Sequence, residues 1–424
     1  MPPERVETLI VGGGQAGLTM SHRLSQRGRP HLVVERGRIA ERWRSERWDG
    51  MHFQSPRWAT RLPDFQLPHT DPDDFATARE IADFIAAYAE RIGAPVRCET
   101  PVTALRRTGD GFRAETPSGN IDAANVVVAT GPFQRPLPPA FDLEIFQVHA
   151  SGYRNPAQLP PGGVLVIGSA ASGTQIAEEL MLAGRQVFLS IGPHRRMPRR
   201  YRGKDLLWWW DALGIDSIPV EKRNPHLAPP VHSGAYGGRT IDFRRFAAQG
   251  MVLLGKALDA RDGMVRFAPD LMDNLAAGDA AYLALLDAAD AHVRAVGLDL
   301  PEDPAARVPV PNPPALDGSI GQMDLLAAGI GSVIWCIGYS LDFGWIDIPV
   351  LDERGNPKHR YGVTDIPGLY FLGLGWLSKA NSAFLYGVGD DAVRLAEHIV
   401  ANTLDTGATN SSRQRLEPMG HRSR

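Results

Sequence analysis

Cysteine is the scarcest reactive residue in this 424-residue chain: Cys98 and Cys336 stand alone, far apart and in no C-x-x-C pair. A disulfide framework and a dithiol redox centre are thereby excluded, and a reducing compartment fits the composition. Lysine is nearly as rare, with Lys204, Lys222, Lys256, Lys358 and Lys379 set against forty arginines, a bias that genomic base composition explains. Charge of either sign is not in excess. A formal net charge of −3 gives no electrostatic reason to expect nucleic acid or an acidic membrane as partner. No apolar run approaches the ~20 residues of a membrane helix. The N-terminus enters an apolar strand (Val6 to Val11) behind Glu4 and Arg5, without the cationic start or long apolar stretch of a signal peptide. The chain is therefore expected in the cytoplasm, with no membrane partner and no nucleic acid. Its length accommodates two or three domains, each with its own core.

What is present begins with a short apolar strand, Thr8-Leu9-Ile10-Val11, running into Gly12-Gly13-Gly14-Gln15-Ala16-Gly17. A helical pattern from Ala16 to Arg27 follows, stopped by Gly28 and Pro30, and a second strand, His31 to Val34, ends on Glu35. This is a complete β-α-β dinucleotide fingerprint. Gly12 permits the tight turn, Gly14 lets the backbone approach a pyrophosphate, and Gly17 allows helix and strand to pack closely. The amides of Gln15, Ala16 and Gly17 open the helix, whose N-terminus carries partial positive charge. Glu35 is placed to hold an adenosine ribose. The motif alone does not choose between FAD and NAD. Residues 101–130 then read as a hairpin series.

Past a Pro-rich stretch, Gln134 to Ala140, a second unit opens with Val164 to Ile167 and Gly168-Ser169-Ala170-Ala171-Ser172-Gly173. Gly168, Ser172 and Gly173 repeat the turn, whereas Ala170 brings a methyl group to the place of closest backbone approach. The strand after its helix ends in Ser190 rather than an acid, and Arg195 and Arg196 follow. A carboxylate would repel a 2′-phosphate, whereas serine and arginine would bind it, so NADPH is expected here. One nucleotide site suggests a dehydrogenase; two suggest a hydride passing from a nicotinamide to a bound flavin.

The chain resembles the class B flavoprotein monooxygenases, the group of flavin-containing monooxygenases, YUCCA-like enzymes and N-hydroxylases. The resemblance runs from about Val6 to Ile399. It is carried in order by the first glycine motif with Glu35, Glu41-Arg42-Trp43-Arg44, Phe53-Gln54-Ser55-Pro56, Val128-Ala129-Thr130-Gly131-Pro132, the second glycine motif with Gln175-Ile176-Ala177-Glu178-Glu179-Leu180, Cys336-Ile337-Gly338-Tyr339, and Gly368-Leu369-Tyr370-Phe371-Leu372-Gly373. Between the glycine motifs the His149…Tyr153-Arg154 half of the family signature is present, while Leu143 and Ile145 stand in place of its F-x-G half. His149 then belongs to a linker and is structural. The resemblance implies further FAD contacts at Arg36, Trp43, Val102, Thr130, Gly131 and Leu385. It places Gln54 where relatives have an asparagine beside flavin N5 and the nicotinamide, which makes Gln54 the candidate catalytic residue.

The expected fold is α/β, two Rossmann-like domains with the NADPH domain inserted into a discontinuous FAD domain. The boundaries read as 1–138 and 331–404 for FAD, 139–330 for NADPH with a substrate-side insertion, and a disordered tail over 405–424. The resemblance implies a monooxygenase: NADPH reduces FAD, and a C4a-(hydro)peroxyflavin passes one oxygen atom from O2 to a small organic substrate. An NADPH-dependent reductase or oxidase serving O2, a quinone or a protein, and a non-catalytic flavin-binding regulator, stay open. So do a homodimer and the role of Trp208-Trp209-Trp210, either pocket lining or helix packing.

Overall fold

The computed structural model describes residues 3–413 apart from Asp110, Asp317 and Ser319, with the backbone alone for 403–413. The chain divides into two compact units, each built on parallel strands. The first comprises residues 1–39, 87–132 and 342–424; the second comprises 40–86 and 133–341.

In the first unit the strand Glu4–Val11 pairs in parallel with His31–Val34 on one side and Gly119–Val128 on the other. Leu9, Ile10, Val33, Val34 and Val126 to Val128 are all buried, as expected for central strands covered on both faces. Strand Gly119–Val128 changes partner along its length. Residues 119–123 pair antiparallel with Gly111–Thr116, while Val126 to Val128 pair in parallel with Leu369–Phe371. The helix Gln15–Ser25 crosses between the first two strands and is met by the C-terminal helix, Val388–Arg413. That helix continues past Asn402 into the segment expected to be a disordered tail, and residues 414–424 lie outside the described residues.

The second unit carries a five-stranded, wholly parallel sheet in the order Phe146–His149, Ile330–Trp335, Gly163–Ile167, Val187–Ser190, Val252–Leu254. Two expected boundaries move. The strand around Ser332, assigned from sequence to the FAD domain, sits inside this sheet, paired on both sides. Residues 40–86 also join this unit. Trp48 and Met51 enter its core, and the Asp49 amide donates to the Arg154 carbonyl at 2.8 Å. The region hardest to read, 200–330, holds a long helix, Leu271–Val296, and a three-stranded antiparallel sheet, Ala257–Arg261, Met264–Phe267 and Gln322–Asp324. Trp209 is buried there with its indole N–H on the Tyr201 carbonyl at 2.9 Å, and Trp210 packs edge-on to His232, so both pack rather than line a cavity.

Candidate functional site

The first glycine turn is a cradle with one open side. Gly12 has φ of 118° and its amide bonds the Val34 carbonyl at 2.8 Å. A side chain at Gly12 would meet the Ala129 carbonyl oxygen at 2.6 Å, and one at Gly17 would overlap the Gly12 carbonyl, so both must be glycine. At Gly14 the opposite holds: a Cβ would meet nothing within 4 Å. Gly14 caps the helix Gln15–Ser25 with no side-chain hydrogen bond, leaving the first-turn amides directed at open space. Glu35 is fixed by two amides, Gly13 N–H to Oε2 at 2.7 Å and Gly37 N–H to Oε1 at 3.0 Å. Each oxygen keeps a lone pair with which it could accept from a ribose hydroxyl. These residues fit FAD.

The other expected FAD contacts are distributed unevenly. Gly131 has φ of 74°, and Thr130 and Val102 are half-buried in the same unit. Leu385 is buried in the turn before the C-terminal helix. Gln15 donates to the Ala383 carbonyl at 3.4 Å, and a Cβ at Gly373 would lie 2.5 Å from that of Ala16, so this turn closes on the glycine helix. Arg36 is exposed. Trp43 lies in the second unit, half-buried, edge-on to Phe53 at 5.5 Å and with the Arg47 guanidinium over its ring.

The second glycine turn repeats the first. Gly168 has φ of 101° against the Cys336 carbonyl, and a side chain at Gly173 would overlap the Gly168 carbonyl. The helix Ala171–Leu182 starts from Ala170 with no side-chain cap, and Ser172 stays half-exposed in its first turn. The residues expected to choose the nucleotide separate into two kinds. Ser190 is only 2% exposed, and its hydroxyl donates to the Gly255 carbonyl at 2.9 Å while accepting from Ala257 N–H at 3.0 Å. It is a structural bridge between neighbouring strands and not a phosphate ligand. Arg196 is likewise engaged, paired with Asp242 and Asp279 and stacked over Tyr282 at 4.0 Å. Arg195 differs. Only its Nε is anchored, on the Ala228 carbonyl at 2.8 Å, and no carboxylate among the described residues pairs with it.

Gln54 sits in the short strand His52–Pro56 of the second unit. Its Nε2 donates to the His232 carbonyl at 2.9 Å, and its own carbonyl accepts from Arg199 at 2.9 Å. The second N–H and Oε1 of that amide are uncommitted among the described residues. Sequence reasoning missed this setting. Arg199 is 1% exposed and paired with Asp205; His232 is 7% exposed, its Nδ1 has no partner, and burial beside Arg199 and Arg195 lowers its pKa to about 3. His149 has both ring nitrogens engaged, by Ser151 Oγ at 2.9 Å and the Gly338 carbonyl at 3.1 Å. Burial also lifts the Cys336 thiol well above its usual range, which leaves it unreactive. Among the described residues no group of His, Cys, Asp and Glu could hold a metal ion, and no helix is long and apolar enough to cross a membrane.

Residues 9–204 match the pyridine nucleotide-disulphide oxidoreductase family. A CzcO-like oxidoreductase of Geobacillus kaustophilus is 34% identical over 93% of this chain and 98% of its own length. The probable indole-3-pyruvate monooxygenase YUCCA1 of Arabidopsis thaliana is 30% identical over 41% of this chain and 44% of its own. The fold is that of the flavin-containing monooxygenase from Stenotrophomonas maltophilia, with a TM-score of 0.64 at 17% identity over 94% of this chain and 99% of that one. The chain belongs to the family of CzcO-like oxidoreductases. It is an oxidoreductase whose two glycine turns fit FAD and NAD(P)H.

Proposed function

We propose that the protein is an NADPH-driven monooxygenase that transfers one oxygen atom from O2 to a small organic substrate. The observation that carries this reading is the pair of open glycine-turn helices in a chain that has no C-x-x-C dithiol. Two nucleotide sites supply electrons to a flavin, and with no protein disulfide to receive them, O2 is the natural acceptor. When bound and reduced, FAD supplies the oxygen-activating chemistry.

The protein's own contribution is binding and orientation. The helix at Gln15 holds the FAD pyrophosphate and Glu35 its ribose; the helix at Ala171 holds the second pyrophosphate, with Arg195 as the cation for a 2′-phosphate. Gln54 is turned by the His232 carbonyl so that one N–H and Oε1 remain available together. A single amide can then donate to one bound group and accept from another, which holds the two in register. The same bond favours a second reading. Half of Gln54's donor capacity is already committed to His232, and an imperfect grip would make the protein an NADPH oxidase that releases peroxide.

Peroxide yield per NADPH oxidised, measured for wild type, Gln54→Asn and Gln54→Ala, separates the two. A monooxygenase gives low yield in the wild type with substrate present, and higher yield in Gln54→Ala. Stoichiometric peroxide in the wild type with every substrate supports the oxidase, and equal yields in all three remove Gln54 from the mechanism.

A further inference from the structure

The helix of the second glycine turn does more than face a pyrophosphate. Gln175, four residues beyond its first residue Ala171, is 2% exposed and reaches the peptide of His52 in both senses. Its Oε1 accepts from His52 N–H at 3.3 Å, and its Nε2 donates to the His52 carbonyl at 3.2 Å. A side-chain amide carries both a donor and an acceptor and so pairs with a peptide on both groups. The strand needs that help. His52–Pro56 pairs with Phe75–Thr77 only at its two ends, His52 to Thr77 and Pro56 to Phe75, with an irregularity between. Gln175 before Gln54, and Arg199 at the Gln54 carbonyl, stand in for the missing ladder bonds.

One turn along the helix, Glu178 is fully buried and ion-paired with Arg239. Arg239 ends the loop that starts at His232, whose carbonyl receives the Gln54 side chain. Residues 175 and 178 lie three apart and so share a helix face. From that face one holds the backbone that carries Gln54, and the other holds the loop that orients its amide.

We infer that Gln175 is a positioning residue, assisted by Glu178, through which occupancy of the pyridine-nucleotide site sets the orientation of Gln54. The inference rests on the proposed role of Gln54. A nucleotide bound at the Ala171 end restrains the helix, and the restraint passes through two hydrogen bonds to His52 and through the ion pair to the 232–239 loop. Sub-ångström control of this kind matters because a ~1 Å misplacement can cost roughly 10²-fold in rate.

Two readouts test it. The first needs no turnover: amide hydrogen exchange of residues 50–56 in the FAD-loaded protein, with and without NADP+. Wild type is expected to slow exchange there when NADP+ binds, and Gln175→Met, which removes both hydrogen bonds at similar volume, is expected to abolish that protection while still binding NADP+. The second is peroxide yield per NADPH. Gln175→Met is expected to raise it about threefold or more, as Gln54→Ala does, with the double variant no worse than the larger single effect. Retained NADP+ protection in Gln175→Met overturns the inference whatever Gln54→Ala shows, and additive peroxide yields overturn it too. Should Gln54→Ala behave as wild type, the catalytic role of Gln54 fails, while the exchange experiment still decides whether Gln175 transmits occupancy. If Gln175→Met does not fold, Arg239→Met removes the second grip at a half-exposed residue, and the same loss of protection is expected; its persistence overturns the inference.

Discussion

Gly14 and Ala170 adopt the same backbone conformation at the first turn of their helices, φ −87° and ψ −173° against φ −74° and ψ −168°. Both are extended, so neither demands glycine, and alanine in the second turn carries no strain. The difference is the methyl group, which occupies the side that Gly14 leaves open. Ala170→Gly is therefore predicted to tighten NADP+ several-fold without changing FAD content, read by titration of flavin absorbance. Unchanged or weaker affinity would show that the methyl group lies clear of the pyrophosphate.

Glu35, fixed by two amides, is expected to matter through the ribose hydroxyls that its carboxylate would accept. Hydrogen bonds to a charged group contribute about 1.5–3 kcal/mol, so Glu35→Ala should weaken FAD retention by roughly 10–150-fold. Reconstitution of apoprotein followed by flavin fluorescence measures this directly. Wild-type affinity in the variant would mean that the carboxylate only braces the turn.

Arg195 and Arg196, adjacent in sequence, should part company on substitution. Arg195→Ala is predicted to reduce the preference for NADPH over NADH by about 10–150-fold, the value of one charge-assisted bond, with little loss of stability. Arg196→Ala leaves Asp242, buried at 3% side-chain exposure, with only the Arg244 guanidinium at 4.0 Å as its cation. Its cost should appear in unfolding, below the about 3–5 kcal/mol of a fully unpaired buried charge. Flavin-reduction constants with both nucleotides, together with denaturant melts, check the pair; a nucleotide-selectivity change in Arg196→Ala alone would reverse the assignment.

His232 gives a pH signature. The unfolded imidazole takes up its proton near its ordinary value of 6.5, whereas the folded one does so only at about 3 because burial, then Arg199 and Arg195, oppose the charge. Between those values the unfolded chain binds the extra proton. The associated stability is complete above about pH 6.5 and is lost as pH falls towards 3, by about 1.4 kcal/mol per unit where the slope is steepest. His232→Phe, which keeps an aromatic ring against Trp210, should flatten the acid limb of the stability profile by that amount. An unchanged slope would place the proton uptake elsewhere.

The glycine turns were legible in the sequence because each glycine answers a local demand: the Gly12 and Gly168 conformations and the close approaches at Gly17 and Gly173 are set within a few residues. Glu35 was legible for the same reason. The role of Ser190 is not legible in the sequence, because it depends on what stands beside the strand end and not on the residue at that end. Val252–Leu254 pairs next to that strand, and Gly255 and Ala257, far along the chain, take up its hydroxyl. Arg196 fails similarly, since its partners Asp242 and Asp279 lie on distant elements. Long-range partners leave no periodic trace. Gln175 stood within the motif Gln175 to Leu180 that carried the resemblance, yet its bond to a backbone more than a hundred residues away had no local signature.

The change of partner along strand Gly119–Val128 has a consequence for how the protein is made. A nascent chain that has emerged as far as Gly131 already contains the glycine turn, Glu35 and the hairpin. The stretch that completes this strand, Leu369–Phe371, leaves the ribosome more than half the chain later. Gly373, which closes on Ala16, follows it. Closing a loop of that length costs little more than closing a shorter one, so the delay is one of time rather than free energy. Flavin capture is therefore expected only once residues 369–373 have emerged, and chains cut short before residue 369 are expected to carry the fingerprint without the yellow colour.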